Sequence, residues 1–385
     1  MLAQLLSMSA EGRTTLKHQP SSRPTRADID LAALSHNLRA VRARLRGSRL
    51  YAVVKADAYG HGLGPIARAF EREAVDGLCV ALAEEGLMLR ASGVTAPILV
   101  LSGAYSDAHE RVLRAHLTPV VQDFAQTLAF AQAAQGAKCA VHLKIDTGMA
   151  RLGVPVDELG AWLEAVRALP NLRIEGVMTH LASADSDPEF TALQLRRFDE
   201  ALATVRAAGH TPRWVHAANS AGTYLHPEAQ RDLVRVGLAL YGVAPAPEAQ
   251  PELRPVMALR SEVLALRDLP AGGGVGYDQT YHASRPSRIA TVPIGYGDGL
   301  MRAGSNRGGM LVGGRRCPIV GRISMDLTTL DVTDVPGCAV GDEVVVLGEQ
   351  GAQHLSAVDL ADACGTIAYE VLTNISPRVP RVYRS

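Results

Sequence analysis

The stretch RLYAVVKADAYGHGLGPIARAFEREAVDGLCVALAEEGLMLRASGVTAPILV, residues 49–100, alternates short apolar runs with longer amphipathic segments. The apolar runs have the length of buried strands and lie at 49–54, 77–81 and 97–101, and the helical patterns between them lie at 65–74 and 83–92. Short buried strands that alternate with helices are typical of parallel βαβ units. This stretch therefore predicts an α/β fold with a parallel sheet.

The same alternation continues on both sides of this stretch. Before it, a helical face is formed by Leu31, Leu34, Leu38, Val41 and Leu45. After it, strands are predicted at 118–121, 139–145, 172–179, 213–217 and 232–236, and helices at 106–115, 123–135, 157–168, 189–208 and 219–225. Strands and helices are then equal in number, with eight of each, which predicts a closed (β/α)8 barrel, the TIM barrel.

The pattern changes after a proline-rich connector, APAPEAQPELRP at 244–255. Beyond it, one helix is predicted near 356–363 and strands at Val256–Leu266, Ser287–Pro293, Met310–Val312, Cys317–Ile323, Leu327–Val332 and Glu343–Leu347. We therefore expect three parts: a disordered tail at 1–22, a barrel at 23–250 and a mostly antiparallel β-rich domain at 251–385.

Composition excludes several classes of protein. The 39 basic residues equal the 39 acidic ones, which argues against a nucleic acid or a membrane surface as partner. The five cysteines include no C-x-x-C pair, so neither a disulfide framework nor a zinc site is expected. No apolar run approaches the roughly 20 residues of a membrane span, and no basic segment opens a signal peptide. We therefore expect a cytoplasmic globular protein without a bound metal.

Functional residues of such barrels lie at the C-terminal ends of the strands. Ionisable residues stand at those ends or just beyond, namely Lys55, Lys144, Asp146, Arg151, His180, His216 and Arg235. A single polar residue at a strand end is explained by contact with water, but their convergence on one mouth predicts a site. Lys55 follows an apolar strand directly, so burial should lower the pKa of its amine, as Schiff-base chemistry requires.

Two further segments indicate a phosphate site. Tyr59 precedes the glycine-rich run Gly60–Gly64, whose backbone could approach a ligand closely, although a flexible turn explains it equally well. Ser220 and the segment 235–238 follow strands seven and eight, where barrels commonly bind phosphate. A buried lysine beside a phosphate cradle indicates pyridoxal phosphate.

The chain resembles the alanine racemase family, fold-type III pyridoxal-phosphate enzymes, from about Arg23 to its C-terminus. The matching motifs are AVVKADAYGHG (52–62), KIDTGMARLG (144–153), THLASAD (179–185), HAANSAG (216–222), VRVGLALYG (234–242), VGYDQTY (275–281), IGYGDG (294–299), GRISMD (321–326) and SPRVPRVY (376–383). Two positions depart from the family's pattern. Ala150 stands where a glycine or polar residue is common, and Asp278 where glycine is frequent.

The resemblance implies a pyridoxal 5'-phosphate-dependent racemase that interconverts L-alanine and D-alanine and supplies D-alanine for peptidoglycan. Lys55 would carry the cofactor as a Schiff base and serve as one base, and Tyr277 would be the second base, reaching the site of the partner subunit in a homodimer. The phosphate would be held by Tyr59, Ser220, the Gly237 and Leu238 backbone and Tyr369. Arg235 would face the pyridine nitrogen, supported by His180 and His216. Arg151, Met325 and Tyr296 would contact or gate the substrate, and Lys144 is a position often carbamylated in the family.

Other readings remain open on the residues alone. A racemase of broader specificity, or another barrel-type pyridoxal-phosphate enzyme such as a decarboxylase, would share Lys55. A non-catalytic pyridoxal-phosphate-binding barrel would lack the second domain. A metal-dependent barrel hydrolase could use a carbamylated Lys144 with His180 and His216, but it would need a His-x-His on the first strand.

Overall fold

The computed structural model describes residues 22–385, so that all but the last residue of the predicted 1–22 tail lies outside the described residues. The strands are β1 (Arg26–Asp30), β2 (Arg49–Val53), β3 (Gly77–Val80), β4 (Ile98–Val100), β5 (Thr118–Val121), β6 (Cys139–Asp146), β7 (Val154–Pro155), β8 (Leu172–Met178), β9 (Trp214–His216), β10 (Leu233–Val236), β11 (Met257–Glu262), β12 (Ala265–Leu269), β13 (Gly274–Val275), β14 (Tyr281–His282), β15 (Ser287–Val292), β16 (Gly309–Val312), β17 (Arg315–Pro318), β18 (Thr328–Asp331), β19 (Glu343–Gln350), β20 (Gln353–Leu355) and β21 (Arg381–Arg384). The α-helices are α1 (Leu31–Ala43), α2 (Lys55–Tyr59), α3 (Leu63–Arg72), α4 (Ala83–Ala91), α5 (Ala108–Arg114), α6 (Phe124–Ala133), α7 (Leu159–Val166), α8 (Pro188–Ala207), α9 (Ser220–Leu225), α10 (Ala357–Cys364) and α11 (Ala368–Thr373).

The predicted barrel is confirmed. Its strands follow one another in the order β10-β2-β3-β4-β5-β6-β8-β9, and each neighbouring pair is parallel. Between the last strand, β9, and the first, β10, the backbone N–H of Asp232 donates to the carbonyl of Val215 at 3.0 Å, and that of Arg235 to Ala218 at 3.0 Å. These bonds join the first and last strands, so the barrel is nearly closed and the strand ends named above meet at one mouth.

The apolar pattern explains why these segments form barrel elements. Strand β3 is buried along its whole length, as expected for a strand covered on both faces. Helix α1 buries Leu34, Leu38 and Val41 on one face, and it begins where the Asp30 carboxylate accepts a hydrogen bond from the Ala33 N–H at 2.8 Å. Helix α3 likewise buries Ile66, Ala67 and Phe70.

The second domain is mostly antiparallel, as predicted, but it recruits a strand from the beginning of the chain. Its main sheet has the order β17-β16-β19-β11-β1-β21, and strands β12, β15 and β18 form a second sheet. Strand β1, which the apolar pattern did not indicate, pairs antiparallel with β11 and parallel with β21. Both ends of the described chain therefore lie in the same sheet.

One predicted strand, Val256–Leu266, is two strands in the structure. Its first part, β11, pairs with β19 in the main sheet, and its second part, β12, pairs with β15 in the smaller sheet. The apolar pattern runs through both because the buried Leu259 and Val263 are followed by the half-buried Leu266, so the change of sheet leaves no mark on composition. Within the described residues, no helix is long and apolar enough to cross a membrane.

Candidate active site

A cavity of about 340 Å³ opens at the C-terminal ends of the barrel strands. Most of the predicted site residues line it: Lys55, Tyr59, Lys144, Arg151, His180, Ser220, Arg235, Gly237, Leu238 and Tyr369. His216 lies behind the wall, buried and in contact with Arg235. The convergence predicted from the strand ends is thus present in one chain.

Lys55 stands at the beginning of a left-handed turn. The residues Ala56 to Tyr59 all have φ near +54°, a conformation that non-glycine residues rarely adopt in succession. The turn is held by two side chains: the Glu85 carboxylate accepts from the Ala56 N–H at 2.6 Å, and the His61 imidazole Nδ1 lies 2.8 Å from the Tyr59 carbonyl. Burial, together with the nearby charge of Arg151, lowers the pKa of the Lys55 amine, as expected from its position.

The second domain braces this turn from outside the barrel. The Arg381 guanidinium donates to the Gly60 carbonyl at 2.9 Å, and the Tyr383 hydroxyl donates to the His61 carbonyl at 3.0 Å. At Gly60, which has φ +79°, a Cβ atom would lie 2.2 Å from the Leu372 carbonyl oxygen, so only glycine fits there. The position of Lys55 therefore depends on both domains.

The predicted phosphate cradle has the form expected of an anion site. The Ser220 hydroxyl oxygen accepts from the Gly237 N–H at 3.1 Å, which leaves its own proton available to an acceptor in the cavity. Gly237 lets the Tyr59 hydroxyl approach closely, because a Cβ there would lie 2.3 Å from that oxygen. Tyr369, on α11 of the second domain, has its ring centroid 6.0 Å from that of Tyr59, with the two ring planes inclined at 44°. These groups surround one end of the cavity.

Arg235 is held rigidly at the cavity wall. Its Nη2 donates to the carbonyls of Thr179 and Ala217 at 2.9 and 3.0 Å, and its Nη1 donates to the His216 Nδ1 at 2.8 Å. Burial lowers its pKa to about 10, so the side chain keeps its charge at neutral pH. Burial and the charge of Arg235 hold the pKa values of His180 and His216 well below the ordinary range, so both rings are neutral.

Lys144 is buried, and burial together with the charges of Arg151 and Arg235 lowers its pKa to about 8. The simpler explanation of a lysine at this position would be an ion pair with the neighbouring Asp146. Its carboxylate instead accepts hydrogen bonds from the backbone of the following turn, from Gly148 N–H at 2.8 Å and Met149 N–H at 2.9 Å.

Besides His216, three predicted site residues do not line this cavity within the described chain: Tyr277, Tyr296 and Met325. All three are exposed, and the Tyr277 side chain is 69% exposed on a short 3-10 helix, 277–279. Tyr296 and Met325 lie on adjacent loops, joined by a hydrogen bond from the Gly297 N–H to the Met325 carbonyl at 2.8 Å. An exposed tyrosine outside the cavity of its own chain is what a residue acting in a partner's site requires.

Three polar residues of this region were not predicted from the sequence: Ser102, Asn219 and His142. Asn219, beside Ser220, lines the cavity and accepts a hydrogen bond from the Gly222 N–H at the start of α9. His142 lies behind the wall, with its Nδ1 at 2.8 Å from the Nε2 of His216. His142 could have been predicted from its position on β6. Residues two apart on a strand face the same side, and Lys144 was already expected to point into the barrel.

The charges of the lining residues define the ligand class. Four cationic side chains line the cavity, Lys55, Lys144, Arg151 and Arg235, and among its lining residues in the described chain none is acidic. Such a cavity fits a ligand that carries both a phosphate and a carboxylate. A desolvated lysine beside a hydroxyl-lined phosphate cradle fits pyridoxal phosphate, whose aldehyde reacts with a neutral amine. Fold and site thus define a barrel enzyme of the pyridoxal-phosphate class.

Comparison with known families identifies the chain more closely. Residues 29–245 match the N-terminal domain of alanine racemase, and residues 256–383 match its C-terminal domain. The chain belongs to the alanine racemase family, whose members are pyridoxal-phosphate-dependent isomerases acting on amino acids.

Individual relatives agree along nearly the whole chain. The alanine racemase of Sorangium cellulosum is 48% identical over 94% of this chain and 99% of its own length, and that of Syntrophobacter fumaroxidans is 44% identical over 90% and 94%. The crystal structure of alanine racemase from Streptomyces lavendulae superposes with a TM-score of 0.89 at 38% identity, covering 94% of this chain and 97% of that one. The Bacillus anthracis enzyme with bound L-Ala-P has a TM-score of 0.88 at 33% identity, covering 95% and 96%.

The two departures from the family's pattern share one backbone feature. Ala150 has φ +55° and Asp278 has φ +57°, in the left-handed region that glycine adopts without steric cost. Asp278 also forms an ion pair with Arg322 at 2.8 Å, which its glycine counterpart could not form. A glycine at either position would therefore adopt this left-handed backbone without steric cost.

Proposed function

We propose that this enzyme interconverts L-alanine and D-alanine with two bases, Lys55 of one chain and Tyr277 of a partner chain. The observation that carries the proposal is the cavity, which is lined by four basic side chains, among them Lys55 with its lowered pKa, and by no acidic residue in the described chain. The names of the relatives support alanine as the substrate. We further propose that the product D-alanine serves peptidoglycan synthesis in the cytoplasm, which is consistent with five free, buried cysteines.

Different residues of the cavity would have different roles in binding the cofactor. Ser220, Tyr59, Tyr369 and the backbone at Gly237 and Leu238 would hold the phosphate by hydrogen bonds. When bound, pyridoxal phosphate withdraws electrons from the substrate and so acidifies its α-proton. Arg235 keeps a positive charge fixed at the cavity wall, where it would face the pyridine nitrogen.

Proton transfer needs one base on each face of the substrate. The lowered pKa of Lys55 leaves a larger fraction of neutral amine at neutral pH, so its Nζ can accept the α-proton on one face. The Tyr277 hydroxyl of the partner would deliver a proton on the other face, and the roles reverse for the opposite enantiomer. Arg151 would hold the substrate carboxylate, while Tyr296 and Met325 would narrow the entrance from the partner's side.

A direct assay tests this function. Because enantiomers have equal free energies, enzyme loaded with pyridoxal phosphate should convert either pure alanine enantiomer to an equal mixture. Chiral chromatography measures this, and the same assay on serine and other small amino acids gives the breadth of specificity. A decarboxylated product, or no inversion of alanine with the cofactor bound, would reject the proposal.

For Lys144, we expect a carbamate that presents an anion to Arg151. The neutral amine attacks carbon dioxide, the N–C bond forms and one proton leaves, so the adduct requires the neutral amine. With a pKa of about 8, that form increases between pH 7 and pH 9, and the carbamate signal in carbon-13 NMR with labelled bicarbonate should increase with it. Lys144→Ala should lose the signal, and Lys138→Ala, at an exposed lysine, should keep it. A Lys144 that stays an ammonium at pH 9 contradicts this assignment.

A further inference from the structure

Behind Arg235, two histidine rings form a buried hydrogen-bonded chain. The Arg235 Nη1 lies 2.8 Å from the His216 Nδ1, and the His216 Nε2 lies 2.8 Å from the His142 Nδ1. Both rings are buried, and their planes are inclined at 63°. His142 is thus connected to the cavity only through His216 and Arg235.

The direction of this chain follows from the chemistry of arginine. A guanidinium has donors and no acceptor, so the His216 Nδ1 must accept and cannot carry a proton. A neutral His216 then has its proton on Nε2, from which it donates to the His142 Nδ1. Burial and the charge of Arg235 lower the pKa of His142 to about 3, so both rings are neutral and each has one defined tautomer.

The strand beside His142 is built to accommodate the ring. His142 on β6 pairs with Gly176 on β8. A Cβ atom at position 176 would lie 2.5 Å from the His142 Nδ1, the atom that accepts the hydrogen bond. The acceptor therefore occupies space that only a glycine leaves open.

We propose that His142 is a positioning residue: by accepting the His216 Nε2 proton it selects the tautomer of His216 that accepts from Arg235, and so holds the guanidinium at the cavity wall. Without this acceptor, His216 can carry its proton on Nδ1, where it would face an N–H of Arg235, and two donors repel. The effect of His142 on turnover rests on the proposed function, in which Arg235 faces the cofactor ring.

A matched pair of substitutions separates hydrogen bonding from packing. His142→Asn offers an acceptor oxygen near the position of Nδ1, whereas His142→Leu has nearly the same volume and no acceptor. Gly176→Ala tests the same point with His142 in place, because its methyl group displaces the ring. Circular dichroism and thermal unfolding of the full-length chain establish that each variant is folded.

The first measurement is the tautomer of His216 in the cofactor-free protein, read from two-bond proton–nitrogen-15 correlations of histidine-labelled chain and assigned with His216→Gln. Wild type and His142→Asn should show the proton on Nε2, and His142→Leu and Gly176→Ala should show a substantial fraction on Nδ1. An unchanged tautomer in the folded leucine variant would overturn the inference, as would equal behaviour of the asparagine and leucine variants.

The second measurement is alanine racemisation at saturating pyridoxal phosphate. The loss of one hydrogen bond predicts a kcat about tenfold lower in His142→Leu, with little change in KM, and recovery to within about threefold in His142→Asn. A tautomer shift without a fall in kcat would leave the role of His142 intact and would instead contradict the proposed placement of Arg235 against the cofactor.

Discussion

Lys55→Ala should lose the covalent link to pyridoxal phosphate and roughly ten-thousand-fold of the racemisation rate. Two effects combine, because the same amine binds the cofactor and exchanges the α-proton on one face. Two lysines line the cavity. Lys55 follows β2, which pairs with β10 next to the predicted phosphate cradle, whereas Lys144 lies on β6. The measurement is the absorbance band of the lysine–cofactor link, its trapping by borohydride, and the rate by chiral chromatography.

Two controls make this result specific to position 55. Lys138→Ala removes an exposed lysine and should leave both the band and the rate unchanged. Lys144→Ala removes the other lysine that lines the cavity and should keep the link to the cofactor. If borohydride still attaches cofactor to the Lys55→Ala chain, the labelled peptide will contain the true link and the assignment of Lys55 is wrong.

Tyr277→Phe should be nearly inactive alone and should regain activity when mixed with Lys55→Ala. In a heterodimer of the two variants, a tyrosine that acts in the partner's site leaves one site with both lesions and one with neither. Random pairing makes half of the dimers mixed, so roughly a quarter of all sites should be intact. A tyrosine that acts in its own chain would leave one lesion in every mixed site, and activity would not return.

The exposed position of Tyr277 is the structural reason to expect this rescue. The side chain is 69% exposed and does not line the cavity of its own chain within the described residues. Mixed dimers require subunit exchange, so co-expression of the two chains with different affinity tags gives the cleanest sample. Double-tag purification isolates the heterodimer, in which half of the sites should be intact.

Tyr277→Phe should also affect the two enantiomers unequally. Lys55 can still remove and return the α-proton on its own face, so one enantiomer, D-alanine by resemblance, should continue to exchange that proton with deuterium oxide. The other enantiomer depends on the missing hydroxyl and should not exchange. Equal loss of exchange from both would show that Tyr277 is not the base for one face.

Much of this architecture could be read from local pattern. The strand–helix alternation from 49 onward predicted the barrel and the order of its strands because a buried parallel strand is apolar throughout and a covering helix is apolar on one face. Chain order then placed Lys55, Lys144 and Arg235 at one mouth, since parallel strands all end on the same side. Those residues, and the charge of the cavity that they line, were determined by the sequence alone.

Other features depended on contacts between distant segments. Strand β1 has too short an apolar pattern to predict, and it forms because β11 and β21 provide hydrogen-bonding edges on both of its sides. The left-handed turn after Lys55 is locally unfavourable, and it is held from two other parts of the chain, by Glu85 on α4 and by Arg381 and Tyr383 on β21. The His142–His216–Arg235 chain likewise exists only because strands β6, β9 and β10 bring three buried side chains within hydrogen-bonding distance. Sequence thus determined which chemical groups reach the mouth of the barrel, and tertiary structure decided their orientation and protonation, because both depend on neighbours that are remote along the chain.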